Sequence, residues 1–265
     1  MRVATWNLKQ AVAPKKPLQQ LWSWAADRIR PDCIVFTEGK VPSAGVPRGW
    51  TAEWNPDGVY PEQRNRWGTV VAGRGVEIVP VTSVKSRLRR HNLDVTWPAA
   101  VQVVDVFDDG DYWGTVVGFY AVTKNGRGAS TGNGTYSWPT MMSQLERLFE
   151  SDRARRLVVA GDLNLLPKDI GAVANRFGLT DVIDHSATSR PKLKGCNSCN
   201  RVAGCRHMWT HKNTGGKNPS VQQVDYIFVS DELLDEVKRV EGGDRDFPDA
   251  WEMSDHAPVV VEFYA

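Results

Sequence analysis

The feature that most constrains this chain is a set of short apolar runs of strand length, each closed by a polar residue. Arg2 to Asn7 reads as a strand ending in Asn7. Cys33-Ile34-Val35-Phe36 is continuously apolar and ends at Thr37-Glu38. Leu157-Val158-Val159-Ala160 is a buried strand ending in Gly161-Asp162-Leu163-Asn164. Strand ends on one rim of a sheet are where an α/β fold gathers a site. The rigid sheet fixes the geometry and the loops leave room for a ligand.

Between these runs the pattern changes period. Leu18, Leu21, Trp22, Ala25 and Ile29 recur at helical spacing, with Pro17 at the first turn and Pro31 as the stop. Thr69–Ala72 and Val76–Val81 read as paired strands around Gly73-Arg74-Gly75. Ala99 to Phe107 alternates, Asp108 to Asp111 is a turn, and Tyr112 to Val122 is the returning strand. Helices are expected over Thr140–Glu150 and Lys168–Phe177, and the last strands over Val224–Val229 and Pro258–Phe263. Residues 186–220 form a polar insert rich in Gly, Lys, Asn and Cys.

With 265 residues, 41% hydrophobic and 24% charged, the chain has the profile of a soluble globular protein, expected as one domain over 1–265. No apolar run approaches the ~18 residues of a membrane span. The N-terminus enters a strand without the shape of a signal peptide, so an intracellular, cytoplasmic protein is expected, and a monomer. Net charge is only +2, but it is unevenly placed. Between His185 and Val224 there is no acidic residue, against Arg190, Lys192, Lys194, Arg201, Arg206, Lys212 and Lys217. Lys85, Arg87, Arg89, Arg90 and His91 form a second basic run, and from Asp225 onward acidic residues dominate. Basic stretches suit an anionic substrate and acidic ones a bound cation.

Four segments carry groups suited to phosphate-ester chemistry: Thr5-Trp6-Asn7, Phe36-Thr37-Glu38, Gly161-Asp162-Leu163-Asn164 and Ser254-Asp255-His256. Such a reaction needs charge neutralised on the phosphate oxygens, a water deprotonated and aimed, and a leaving oxygen stabilised. With Val224-Asp225-Tyr226-Ile227 and Gly118-Phe119-Tyr120, these segments resemble, in order, the signature set of the endonuclease/exonuclease/phosphatase superfamily. The resemblance runs from residue 3 to residue 263. It implies an α/β fold, a four-layer sandwich of two mixed β-sheets flanked by helices, as in DNase I. It also implies hydrolysis of phosphate esters with Mg²⁺ or Mn²⁺.

The roles implied are carried by position. Glu38 resembles the principal metal ligand, with Asp255 at or beside the metal and Asn7 bonded to the metal–phosphate assembly. Asp162 matches the residue that orients or deprotonates the attacking water, and Asn164 one that contacts the phosphate or aligns Asp162. His256 matches a phosphate contact or base, hydrogen-bonded to Asp225. The resemblance leaves open whether Asp162 or the Asp225–His256 pair is the general base. Lys9 departs from the exonuclease-III-like pattern, which has an acidic metal ligand there. Tyr120 stands where abasic-site enzymes carry Tyr and other members carry His, and Asn125-Gly126-Arg127-Gly128 echoes the former.

Cys196, Cys199, Cys205 and His207 form Cys-x₂-Cys-x₅-Cys-x-His, which suits a tetrahedral structural Zn²⁺, with His211 as an alternative fourth ligand. Cys33 is expected in the core. The leading expectation is a nuclease acting on DNA or RNA. The alternatives are a phosphatase or phosphodiesterase on a small phosphorylated molecule and a non-catalytic binding protein on the same fold, the last opposed by the intact set of site residues.

Overall fold

A computed structural model describes residues 1–10, 15–59, 67–86, 89–123, 134–189, 205–213 and 220–264. Twelve strands form two mixed sheets of six. The first runs β15 (Val237–Gly242), β16 (Val259–Phe263), β1 (Arg2–Asn7), β2 (Cys33–Gly39), β4 (Gly68–Arg74), β3 (Trp50–Trp54). The second runs β11 (Leu179–Asp181), β14 (Asp225–Ser230), β10 (Leu157–Asp162), β9 (Asp111–Tyr120), β8 (Val101–Asp108), β5 (Glu77–Pro80). Two short hairpins stand outside the sheets, β6 (Ser83–Ser86) with β7 (Arg89–Asn92) and β12 (His211–Asn213) with β13 (Ser220–Gln222).

Alternation along the strands builds the layers. Val3, Val35, Val71, Val116, Val158 and Ile227 meet between the sheets. Their neighbours Ala4, Ile34, Phe36 and Val70 pack outward on Leu21 and Trp22 of α1 (Leu18–Trp24). On the other side Val117, Phe119, Val159 and Phe228 pack on Trp138 and Met141 of α2 (Ser137–Gln144). Strands buried on both faces read as continuous apolar runs, which is why 33–36 and 157–160 lack polar alternation. Each such side chain contributes about 1.5–3 kcal/mol on burial. Cys33 lies in the inter-sheet layer, as expected. The sheets approach closely at Gly118, where a Cβ would stand 2.9 Å from Thr69 Cγ2 and from Val71 Cγ2.

The expected hairpin over Thr69–Ala72 and Val76–Val81 does not form. β4 pairs with β2 and β3, whereas β5 crosses to the second sheet and pairs with β8. Only Ile78 of β5 is buried, and it enters the inter-sheet core. The edge strands β3 and β15, with mixed polar sequences, carry no periodic signal strong enough to predict them. The helix expected over Thr140–Glu150 starts at Ser137 and breaks at Leu145, before a short turn over Glu146–Phe149. That over Lys168–Phe177 narrows to Gly171–Arg176. Among the described residues no helix is long and apolar enough to cross a membrane.

Candidate active site

Strand register assembles the site. β10 runs parallel to β9 and antiparallel to β14, which aligns Asp162 with Tyr120 on one side and Asp225 on the other. In the first sheet Asn7 is level with Thr37, and Glu38 follows at a register shift between Phe36 and Gly39. Glu38, Lys9 and Asn164 all have positive φ, at 45°, 55° and 50°. Such backbone is costly for residues with a Cβ, and here it clusters where three strand ends turn into the site.

Asn7 joins the two sheets. Its Nδ2 donates to Asp162 Oδ2 at 2.8 Å. The backbone N–H of Asn164 donates to Asp162 Oδ1 at 2.8 Å, while the Asn164 side chain donates to the Ala121 carbonyl. Asn164 thus aligns Asp162 through its main chain. Burial, and then the charge of Asp225, push the Asp162 carboxyl up to about 7.

Asp225 and His256 form a buried pair. His256 Nδ1 lies 2.8 Å from Asp225 Oδ2. Burial alone would depress the imidazole, but the Asp225 charge and hydrogen bond outweigh it and lift His256 to about 10. His256 is held from behind. Ser254 Oγ accepts its backbone N–H and donates to the Asn7 carbonyl, and Trp6 Nε1 donates to the His256 carbonyl. The Tyr120 hydroxyl donates to Glu38 Oε1 at 3.3 Å, and its ring stands edge-on to Trp67.

Asp255 is paired with the Lys9 ammonium. The site residue that sequence reasoning did not bring here is His211. Its ring stacks on His256 with centroids 4.5 Å apart, and its Nε2 is 4.0 Å from Asp255 Oδ2. It therefore stands beside this site, a placement its reading as an alternative zinc ligand does not anticipate. The signal that could have placed it is its position at the end of the insert, 14 residues before Asp225. Segment 208–213 docks beside the Ser-Asp-His turn: the Thr210 carbonyl accepts from Ala257 N–H, and the Asp255 carbonyl from Lys212 N–H. Burial, and then the positive charge of His256, push His211 down to about 3, so it is neutral.

The donor set fits a hard divalent cation. The groups are carboxylate oxygens, and Asp225 Oδ1 is buried without a hydrogen-bond partner; Asp255 Oδ1 is too, but the other oxygen of that carboxylate already meets the Lys9 ammonium. Asp162, Asp225 and His256 bring ligand-capable atoms within 4.8 Å of one another. His256 spends its Nδ1 on Asp225, so the carboxylates rather than the imidazole are the candidate ligands. Of the zinc set, Cys196 and Cys199 lie outside the described residues. Cys205 is buried and not in a disulfide, and His207 is half-buried. Arg87, Arg190, Lys192, Lys194, Arg201, Lys217 and residues 125–128 also lie outside the described residues. Lys85, Arg89 and Arg90 are exposed on the β6–β7 hairpin.

No known family profile matches the sequence, and no curated protein matches it. Solved structures do. AP endonuclease LMAP from Leishmania major is 14% identical with a TM-score of 0.66, over 100% of this chain and 87% of that one. The 3′ phosphatase NExo from Neisseria, solved with a product DNA hairpin, is 18% identical with a TM-score of 0.63, over 100% of both chains. The endonuclease domain of TRAS1, a telomere-specific non-LTR retrotransposon, is 14% identical with a TM-score of 0.64, over 100% and 98%.

The chain has the fold shared by these structures. At these identities the likeness is one of fold, and the chemistry is argued from the site itself. In this fold the two sheets bring Asn7 and Asp162 into contact at one rim, and Tyr120, Asp225 and His256 gather beside them.

Proposed function

We propose that this chain is a divalent-metal-dependent phosphoesterase whose substrate is a DNA or RNA phosphodiester. The observation that carries the reading is the division of labour between two buried groups. Asp162 is held by Asn7 and Asn164 with its carboxyl near 7, and His256 is kept charged by Asp225. A carboxylate that titrates near neutrality is matched to taking a proton from water. An imidazolium that keeps its proton to about 10 has no ring nitrogen open to accept one. Asp162 is therefore the base and orients the attacking water. His256 neutralises charge on the phosphate, and Tyr120 and Asn7 set the positions of Glu38 and Asp162. A Mg²⁺ or Mn²⁺ ion at Glu38 supplies charge for the phosphate and leaving oxygens when bound.

Nucleic acid as substrate is supported by the exposed basic hairpin at Lys85, Arg89 and Arg90 and by the likeness in fold to an AP endonuclease and to a 3′ phosphatase solved with a product DNA hairpin. The test is hydrolysis by the purified chain with Mg²⁺ or Mn²⁺ against EDTA, on plasmid, single-stranded DNA, RNA and small phosphomonoesters. Nucleic-acid cleavage that needs metal is expected. Phosphate release from small esters alone would replace the nuclease reading with a phosphatase one.

We also propose a structural Zn²⁺ on Cys196, Cys199, Cys205 and His207. Three thiols and an imidazole suit tetrahedral zinc, which would order a basic insert that has few apolar residues to fold on. One zinc per chain by atomic absorption, lost in Cys205→Ser, is the expected result. A metal-free chain that keeps its melting temperature would remove the proposal.

A further inference from the structure

We infer that Lys9 holds the charge of Asp255, so that the site takes one divalent ion, at Glu38, and not a second at Asp255. The inference rests on the phosphoesterase reading above and concerns how that reading's cation is held.

The place of Lys9 is fixed by its backbone. Its N–H donates to Asn7 Oδ1 at 2.8 Å, on the same side chain that holds Asp162. On either side of it, the Leu8 N–H donates to the Thr37 carbonyl and the Gln10 N–H to the Glu38 carbonyl. The turn between Asn7 and Gln10 is thereby bound to the strand end that carries Glu38. Lys9 reaches this path only with φ at 55°, a conformation that costs a lysine free energy and that the surrounding bonds impose.

From that anchor the ammonium meets Asp255 Oδ2, and the two side chains are only 22% and 13% exposed. The neutral His211 approaches the same oxygen with Nε2 at 4.0 Å, and Asp255 Oδ1 is closed off from solvent. A cation seeking Asp255 has to displace an ammonium from a poorly hydrated pair. It would also arrive among like charges. Lys15 donates to the carbonyls of Trp251 and Ser254, where it is attracted by Asp255 and repelled by Lys9 and Lys212. A fixed lysine supplies there the neutralisation that a second ion would give, without an ion to lose. Lys9 acts through Asp255 and is a positioning residue.

The test is Mn²⁺ binding to the full chain, read by electron paramagnetic resonance, with thermal melting as a check on folding. The wild type is expected to bind one Mn²⁺. Glu38→Gln should weaken binding by about tenfold or more, as loss of one charge a few ångströms away does at a partly buried site. Asp255→Asn should leave binding nearly unchanged. Lys9→Met should expose Asp255 and add a second Mn²⁺, while Lys9→Arg should stay at one. If Lys9→Met does not fold, the Glu38→Gln and Asp255→Asn pair decides alone. Two ions in the wild type, or Asp255→Asn as damaging as Glu38→Gln, would overturn the role of Lys9 while metal-dependent hydrolysis stood. A folded wild type that neither binds Mn²⁺ nor hydrolyses any phosphoester would overturn the phosphoesterase reading with it.

Discussion

Asp162 and Asp225 stand directly across from one another on paired antiparallel strands, and the second raises the proton affinity of the first. Burial and this neighbour hold Asp162 at about 7, while the same Asp225 lifts His256 to about 10. One carboxylate thus raises the proton affinity of both its neighbours. The wild type is expected to show kcat/KM rising through about pH 7 as Asp162 ionises and falling through about pH 10 as His256 loses its proton. A pH–rate profile with a single limb rising near pH 10 would make the imidazole the base instead.

Asp225→Asn should move both limbs toward acid, because Asp162 loses a repelling charge and His256 loses an attracting one. The charge on His256 also stabilises the fold. A raised folded pKa gives stability that is full below its unfolded value of 6.5 and is lost as pH rises through about 10. The variant should therefore melt lower than wild type at pH 6, with the gap closing above pH 10. NMR titration of the His256 ring checks the first point and thermal melting at several pH values the second. A ring that still titrates near 10 would refute the assignment.

Asn7→Ala removes the side-chain hydrogen bond that ties the first sheet to Asp162. The lost donor favoured the carboxylate, so the rising limb should shift to higher pH. The maximal rate should fall by roughly 10- to 100-fold, the scale of a mispositioned base. An unchanged acid limb in the pH–rate profile would show that Asn7 does not tune Asp162.

Gly161→Ala should be strongly destabilised. A Cβ there would stand 1.7 Å from the Phe119 carbonyl oxygen, closer than any real Cβ approaches. The clash falls in the ladder that aligns Asp162 with Tyr120, so it strikes fold and site together. A destabilisation above about 3 kcal/mol is expected in chemical denaturation, well beyond ordinary overpacking. Near-wild-type stability would mean that β9 and β10 do not pack so tightly.

Much of this site is legible in the sequence because strand ends carry it. Asn7, Glu38, Asp162 and Asn164 each follow an apolar run, so a strand reading already places them on sheet rims. The motif order then supplies Tyr120, Asp225, Asp255 and His256. Three things are not legible. The crossing of β5 to the second sheet is a long-range pairing with β8, and a strand with one buried residue has no local period to reveal it. The placement of His211 depends on segment 208–213 docking on the Ser-Asp-His turn, a contact between residues distant in sequence. The pairing of Lys9 with Asp255 joins the two ends of the chain, 246 positions apart, and only the parallel and antiparallel neighbours of β1 bring them together.

The most direct test of the account is single-turnover cleavage of an end-labelled oligonucleotide with saturating Mn²⁺, comparing wild type with Asp162→Asn. The variant should bind the oligonucleotide as wild type does but cleave it at least about a hundredfold more slowly, since its side chain can take no proton from water. Cleavage at the wild-type rate by Asp162→Asn, with Mn²⁺ bound and the fold intact, would contradict the account at its centre.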